Sequence, residues 1–162
     1  METDKERFRF LESKNEQAYL LFVEADKEKS FIPTVDDPNF EVDHFLDQME
    51  KTPGYVLFVT QNEFGDNLGF ISVFPHHRDE GVYSIGPMYV KKEFRGKSIG
   101  KYQVEKVIEW ASNERIKKLH TKTWGNNIGS RKIFEDLGFK LTKEKPNDRI
   151  NGDSTVTYEL ML

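Results

Sequence analysis

Apolar positions change their spacing several times along the chain, and each change marks an element. Residues 7–11 read as a short strand, and Ser13 with Glu16 three positions on has the spacing of a capping box that opens a helix. Tyr19, Phe22 and Val23 form the expected buried face of that helix. Pro33, Asp36, Asp37 and Pro38 make residues 30–39 a loop, after which Val42, Phe45, Leu46 and Met49 recur at helical spacing. Residues 55–60 and 68–74 are rich in aromatic and β-branched side chains, and the Gly65-Asp66-Asn67 turn between them predicts a β-hairpin.

Residues 82–90 read as another strand, interrupted by Gly86-Pro87. Proline donates no ladder hydrogen bond, so a bulge or local splay is expected there. Val104, Val107, Ile108 and Ala111 predict a helix, and residues 118–123 a strand. Ser130, Ile133, Phe134 and Leu137 predict a further helix, ended by Gly138. Residues 139–142 and 155–160 read as closing strands joined by a polar loop. The resulting order is strand, two helices, three strands, helix, strand, helix, two strands. It predicts one α/β domain over residues 1–162, a mixed sheet with helices on its faces.

Composition narrows the chemistry. A chain of 162 residues with 36% hydrophobic content can bury one substantial core. Its 24 basic residues nearly balance 28 acidic ones, giving a formal charge of -4, which argues against a general nucleic-acid binder. Cysteine is absent, which excludes disulfides, thiolate metal sites and a cysteine nucleophile, and no metal site is expected. The first ten residues contain no apolar run, and nowhere do eighteen apolar residues follow one another. Export and membrane insertion therefore lack a signal, and a cytoplasmic location is the expectation.

The central chemical feature is the turn Arg95, Gly96, Lys97, Ser98, Ile99 and Gly100, which follows a strand and opens an amphipathic helix. A helix N-terminus carries unpaired N–H groups and partial positive charge, and small residues let an anion approach the backbone. Two familiar phosphate loops fail on spacing. A Walker A loop ending at Gly96, Lys97 and Ser98 would need glycine where Lys91 stands, and a dinucleotide loop would need glycine at Ser98 and Lys101.

The turn instead resembles the Gln/Arg-x-x-Gly-x-Gly/Ala signature of the GNAT superfamily of acyl-CoA-dependent N-acyltransferases, matched at Arg95 and Gly100 with Ser98 at the central glycine. A second block, residues 127–139, resembles that superfamily's Asn-x-x-Ala-x-x-Leu-Tyr-Glu-Lys-Leu-Gly-Phe segment. The resemblance implies a mostly antiparallel central sheet of about seven strands flanked by about four helices. It also implies transfer of an acetyl group from acetyl-CoA to a primary amine of a small molecule or peptide, by direct attack in a ternary complex. A non-catalytic acyl-CoA-binding or regulatory module on the same fold is the alternative. Neither reading involves a nucleic acid or a membrane, and the chain is expected as a monomer or homodimer.

The same resemblance implies a cofactor site of Met88, Tyr89, Val90, Arg95, Gly96, Lys97, Ser98, Ile99, Gly100, Lys101, Asn127, Ser130 and Phe134. A bulge at Gly86-Pro87 would free the backbone N–H groups beyond it, and Met88 is the oxyanion donor that the superfamily's geometry favours. Many relatives place a glutamate base where Ser84 stands and a tyrosine acid where Phe134 stands, so Ser84 is left to position water. Tyr83, Tyr89 and Tyr102 are substitutes for the acid, and Asp79, Glu80, His76 or His77 could receive a proton. Asn127 also suits a helix cap. Lys91, Lys92, Arg95, Lys97 and Lys101 suit a solvated face as well as phosphates. Asp36 and Asp37, in the loop expected to select the acceptor, suit a solvated acidic loop as well as the attraction of a cationic amine.

Overall fold

A computed structural model describes residues 7–162, and Met1–Glu6, the start of the charged N-terminal stretch, lies outside them. The sheet has seven strands: β1 (Arg9–Ser13), β2 (Val56–Gln61), β3 (Asn67–Pro75), β4 (Val82–Val90), β5 (Lys118–Trp124), β6 (Lys140–Lys145) and β7 (Thr155–Met161). Four α-helices accompany them among the described residues: α1 (Asn15–Lys27), α2 (Val42–Glu50), α3 (Ile99–Asn113) and α4 (Ile128–Asp136). Strand order across the sheet is β1-β2-β3-β4-β5-β7-β6. Neighbours are antiparallel except β4 and β5, whose parallel pairing needs the α3 crossover.

Alternation along the strands divides the core in two. On one face Leu57, Val59, Phe70 and Tyr89 pack with Ala18, Leu21, Phe22 and Ala25 of α1 and Val42 and Leu46 of α2. On the other, Phe58, Ile71, Val73, Ile85 and Leu119 pack with Val104, Val107 and Ala111 of α3 and Phe134 of α4. Phe22 and Phe70 are fully buried and stack at 3.8 Å between ring centroids. Burial of each contributes roughly 1.5–3 kcal/mol.

Element ends differ from the sequence expectation where tertiary partners decide them. Ser13 belongs to β1, opposite Leu57, and its hydroxyl donates to the Leu11 carbonyl at 3.2 Å, so it caps nothing. The helix begins one residue later, with the Lys14 N–H donating to the Gln17 side chain at 2.8 Å. Asn15 anchors that start: its amide donates to the Leu46 carbonyl of α2 at 3.1 Å and accepts from the Tyr55 hydroxyl at 3.0 Å. The buried stripe of α1 is therefore Ala18, Leu21, Phe22 and Ala25, and Tyr19 is exposed. The end of α4 follows the expectation. Gly138 takes φ of 92°, with the Phe139 N–H bonded to the Phe134 carbonyl and the Gly138 N–H to the Glu135 carbonyl, the bonding of a Schellman cap.

Candidate active site

The site begins where two central strands separate. β4 and β5 pair only from Val82 opposite Lys118 to Ile85 opposite Thr121. Beyond that point β4 continues along β3 to Val90, and β5 continues along β7 to Trp124, leaving a wedge between them. The cause is local. Across β3 and β4 the register slips between Ile71 and Val73, and the Ser72 hydroxyl donates to the Pro87 carbonyl at 2.9 Å. Gly86 and Pro87 thus form the bulge expected from their sequence.

Ladder geometry then decides which backbone groups face the wedge. The Lys91 N–H bonds the Leu68 carbonyl of β3 at 2.8 Å, and Tyr89 lies opposite Phe70, two positions back. Hydrogen-bonded pairs alternate in an antiparallel ladder, so the Met88 and Val90 N–H groups point the other way, toward the side that β5 has left.

The N-terminus of α3 closes one end of the wedge. After a short 3-10 turn at Lys92–Phe94, Gly96 and Ser98 both take left-handed backbone, with φ of 80° and 61°. Ser98 thereby adopts a conformation that glycine reaches more readily, which explains the preference for glycine at that position. The N–H groups of Ile99, Gly100 and Lys101 open the helix without intrahelical acceptors. Gly100 lets β4 and α4 approach: a Cβ there would lie 3.1 Å from Ile133 Cδ1, 3.8 Å from Met88 Cε and 4.0 Å from Val90 Cγ2.

These elements converge on a cavity of about 1040 Å³, whose lining includes Met88, Tyr89, Val90, Arg95, Gly96, Ser98, Ile99, Gly100 and Lys101. Lys97 is not among the lining residues; its ammonium lies over the Phe94 ring at 5.6 Å. Arg95 is committed to its neighbours. Its Nε donates to the Val90 carbonyl at 2.9 Å and its terminal nitrogen to Glu28 at 2.6 Å, while the guanidinium stacks over Tyr89. This bond from Arg95, with a second from the Tyr89 hydroxyl, holds the Glu28 carboxyl below its ordinary range. Burial pushes the Tyr89 hydroxyl up, as does its bond to Glu28, which makes it a poor proton donor. Lys91 faces Glu24 and Glu93 at 3.9 and 3.7 Å.

Asn127 caps α4: its side-chain oxygen accepts from the Ser130 N–H at 3.4 Å and its nitrogen donates to Thr123 at 2.8 Å. Both Asn127 and Ser130 line the cavity. Phe134 also reaches it, although the ring is buried against Phe139 and Tyr158. Two tyrosines leave the candidate set. Alternation along β4 turns Tyr83 away from Ser84 to the opposite face, against Trp110, and Tyr102 sits beside Phe8 and Phe10. Neither lines the cavity.

At the other end Phe31, Phe40 and Asp37 of the α1–α2 loop face Phe74, Ser84, His120, Lys122 and Trp124 across the same cavity. The loop is held there by the β6–β7 connection. Arg149 donates to the Ile32 carbonyl at 2.7 Å and to Thr155 Oγ1 at 2.8 Å, and the Val35 N–H bonds the Asp148 carbonyl at 2.8 Å. Asp36 stands outside the cavity with Lys145 at 3.7 Å, so the expected pair of acceptor-facing carboxylates is reduced to Asp37.

His76 and His77 line the cavity as a stacked pair, with Asp79 3.6 Å from His76 Nδ1. His120, which the sequence reading missed, stands edge-on to His76 at 5.0 Å. Its Nδ1 is 3.3 Å from Ser84 Oγ. The sequence Lys-Leu-His-Thr-Lys-Thr-Trp of β5 carried a usable signal. Its alternation sets His120, Lys122 and Trp124 on the face opposite Leu119 and Thr121. Burial is the main cause that lowers the His120 pKa, and nearby His76 and Lys122 add to it. Among the described residues no cluster of three or more His, Cys, Asp or Glu could hold a metal ion, and no helix is long and apolar enough to cross a membrane.

Such a site can hold an anion at the helix N-terminus, bind an extended ligand along the free β4 edge and stabilise an oxyanion at a fixed N–H. Comparison with known proteins bears on which ligand that is. The sequence profile described as Acetyltransferase (GNAT) family matches residues 8–139. MJ1062 of Methanocaldococcus jannaschii, an uncharacterized protein, is 33% identical over 95 residues, 59% of this chain and 19% of the relative. YwnH of Bacillus subtilis, provisionally named a phosphinothricin acetyltransferase, is 29% identical over 107 residues, 63% of this chain and 62% of the relative. The chain thus spans less than two thirds of either curated relative. Among solved structures, yncA of Salmonella typhimurium is provisionally an acetyltransferase and was determined with its cofactor acetyl-CoA. It superposes with a TM-score of 0.78 at 16% identity, over 96% of this chain and 94% of the other, a likeness of fold.

Proposed function

Because the chain belongs to the acetyltransferase (GNAT) family, we propose that it moves an acetyl group from acetyl-CoA to a primary amine of a small molecule or peptide, by direct attack in a ternary complex. The observation that carries this reading is the wedge between β4 and β5, with two outward N–H groups on one wall and a helix N-terminus at its end.

In this reading the diphosphate of the donor meets the N–H groups opening α3, with Lys101 beside them. The pantetheine arm lies along β4 and bonds the Val90 N–H. The thioester carbonyl then reaches the Met88 N–H, whose direction the sheet fixes before any charge develops. The amine approaches from the side of the α1–α2 loop, between Phe31, Phe40 and Phe74. Bringing two reactants together in one cavity supplies much of the barrier reduction. No tyrosine hydroxyl stands at Phe134, so the departing thiolate takes its proton from the amine nitrogen or water.

The test has two parts: calorimetry with acetyl-CoA, and release of free thiol from acetyl-CoA over a panel of polyamines, aminoglycosides, amino acids and N-terminal peptides. Binding with turnover of at least one amine is expected. Binding without turnover would favour the non-catalytic module, and failure to bind acetyl-CoA would sink both readings.

A further inference from the structure

An amine in neutral water is mostly ammonium and must lose a proton before it can attack a carbonyl. The cavity's two lining carboxylates lie on neither β4 nor β5: Asp37 is on the α1–α2 loop, and Asp136 is at the end of α4, 3.4 Å from Lys132. Of the polar side chains that β4 turns to the cavity, Tyr89 is bonded to Glu28, and Ser84, just before the wedge opens, has a hydroxyl that cannot hold a proton unaided. Directly behind it is a group that can. Parallel pairing sets His120 of β5 opposite Ser84, with Nδ1 3.3 Å from Oγ, and both line the cavity.

Resting on the acetyl-transfer reading above, we propose that His120 is the proton acceptor of the reaction, taking the ammonium proton through the Ser84 hydroxyl. The amine gives a proton to Ser84 Oγ as the serine's own proton passes to His120 Nδ1. This leaves neutral amine, unchanged serine and imidazolium. The amine lone pair forms the C–N bond at the thioester carbon, the tetrahedral intermediate collapses with cleavage of the C–S bond, and the second nitrogen proton goes to the thiolate. The imidazolium returns its proton to solvent. Ser84 is thus the catalytic residue that touches the amine, and His120 acts through it.

The surroundings suit this role. For Ser84 to donate, Nδ1 must be unprotonated, so the resting ring is the Nε2–H tautomer. Burial and the neighbouring His76 favour that neutral form, as do Lys122 and Lys118 on the same strand, while Glu159 on β7 opposes them. Glu159 is the register partner of His120 and is shared with Lys118 at 3.3 Å, so a carboxylate is at hand when the ring charges. Behind His76 lie His77 and Asp79, and Asp37 and Arg149 line the same cavity from the two loops.

One arm of the test needs no acceptor. Ring-nitrogen NMR, with His120 assigned by loss of its signals in His120→Gln, is expected to show the neutral Nε2–H form at pH 7 and a shift of its signals in Ser84→Ala. A protonated ring, an Nδ1–H tautomer or indifference to Ser84→Ala would overturn the proposal. The second arm compares benzylamine, which suits the aromatic lining and is ammonium at pH 7, with hydroxylamine, which is largely neutral there. His120→Gln should lower the benzylamine-to-hydroxylamine rate ratio about a hundredfold and move the acid limb of the benzylamine pH profile up to the range where the amine itself loses its proton. Restoring a carboxylate as Ser84→Glu in that background should recover part of the ratio. Equal losses with both amines, or an acid limb that stays where the parent has it, would make His120 merely structural and overturn the proposal. Calorimetry with acetyl-CoA on each variant separates this from failure of the transferase reading, which loses donor binding while the ring NMR still reports on the pair. If the parent protein turns over neither amine, the NMR arm decides.

Discussion

Replacement of Gly100 separates bulk from charge at the helix N-terminus. A Cβ at this position meets Ile133 Cδ1 at 3.1 Å, closer than an ordinary contact, but that atom ends a flexible side chain and can yield by a few tenths of an ångström. Gly100→Ala is therefore expected to fold, helped by up to about 1 kcal/mol of helix propensity, and to bind acetyl-CoA within about tenfold of the parent. Gly100→Glu adds a carboxylate beside the N–H groups that a diphosphate would use. Two unit charges 4 Å apart at an effective dielectric constant of 20 repel by about 4 kcal/mol. That corresponds to roughly a thousandfold in Kd. The same carboxylate interacts favourably with the helix dipole by about 0.3–1 kcal/mol, so the variant should unfold near the parent temperature. Calorimetry with acetyl-CoA and thermal unfolding on the three proteins read both quantities. The loss in Gly100→Glu should shrink as salt is added. Parental affinity in Gly100→Glu would place the phosphates elsewhere, and equal loss in Gly100→Ala would assign the effect to bulk.

Three further outcomes follow from other parts of the fold. Gln103 is fully buried with neither amide atom hydrogen-bonded, a condition that costs about 1–3 kcal/mol, so Gln103→Met should raise Tm by a few degrees. A lower Tm would show that the amide is needed where it is. Arg149→Ala removes the bonds tying the α1–α2 loop to the β6–β7 connection, and should raise KM for the amine several-fold without moving the acetyl-CoA Kd measured by calorimetry. Glu28 has its carboxyl pKa lowered, first by its bond from Arg95. Such a group adds stability above its unfolded pKa of about 4.3, and that share is lost as pH falls through the lower folded value. Glu28→Gln lacks it at every pH, so the Tm gap between parent and variant should close in acid; a gap that stays constant would refute the role of the charge.

Order and type of the elements were legible because their signals are local. The bulge at Gly86-Pro87 and the cap at Gly138 each rest on one residue's backbone chemistry, and both occur where their residues stand. Errors arose where a distant partner decides. Ser13 has the chemistry of a helix cap, yet pairing with Leu57 of β2 keeps it in a strand, and Asn15, bonded to Leu46 and Tyr55, determines where α1 begins and which face it buries.

The same distinction divides the site. An anion cradle at a helix N-terminus is built from consecutive residues, so the turn from Arg95 to Gly100 could be read directly, apart from which side chains turn away: Arg95 toward Glu28, Lys97 toward Phe94. The proton path has no such contiguity. Ser84 and His120 are 36 residues apart and meet because α3 carries the chain over one face of the sheet to lay β5 parallel to β4. A one-residue slip of that register would turn His120 to the opposite face and leave Ser84 without a partner. A search along β4 for a replacement for the missing glutamate therefore ends at a serine with no evident use. The group that can hold the proton lies on the adjacent strand, brought beside it by the packing of Val104, Val107 and Ala111 against Ile85 and Leu119. Core substitutions on α3 that shift this register should accordingly impair amine deprotonation while sparing the N–H groups of Met88 and Val90, which β3 fixes independently.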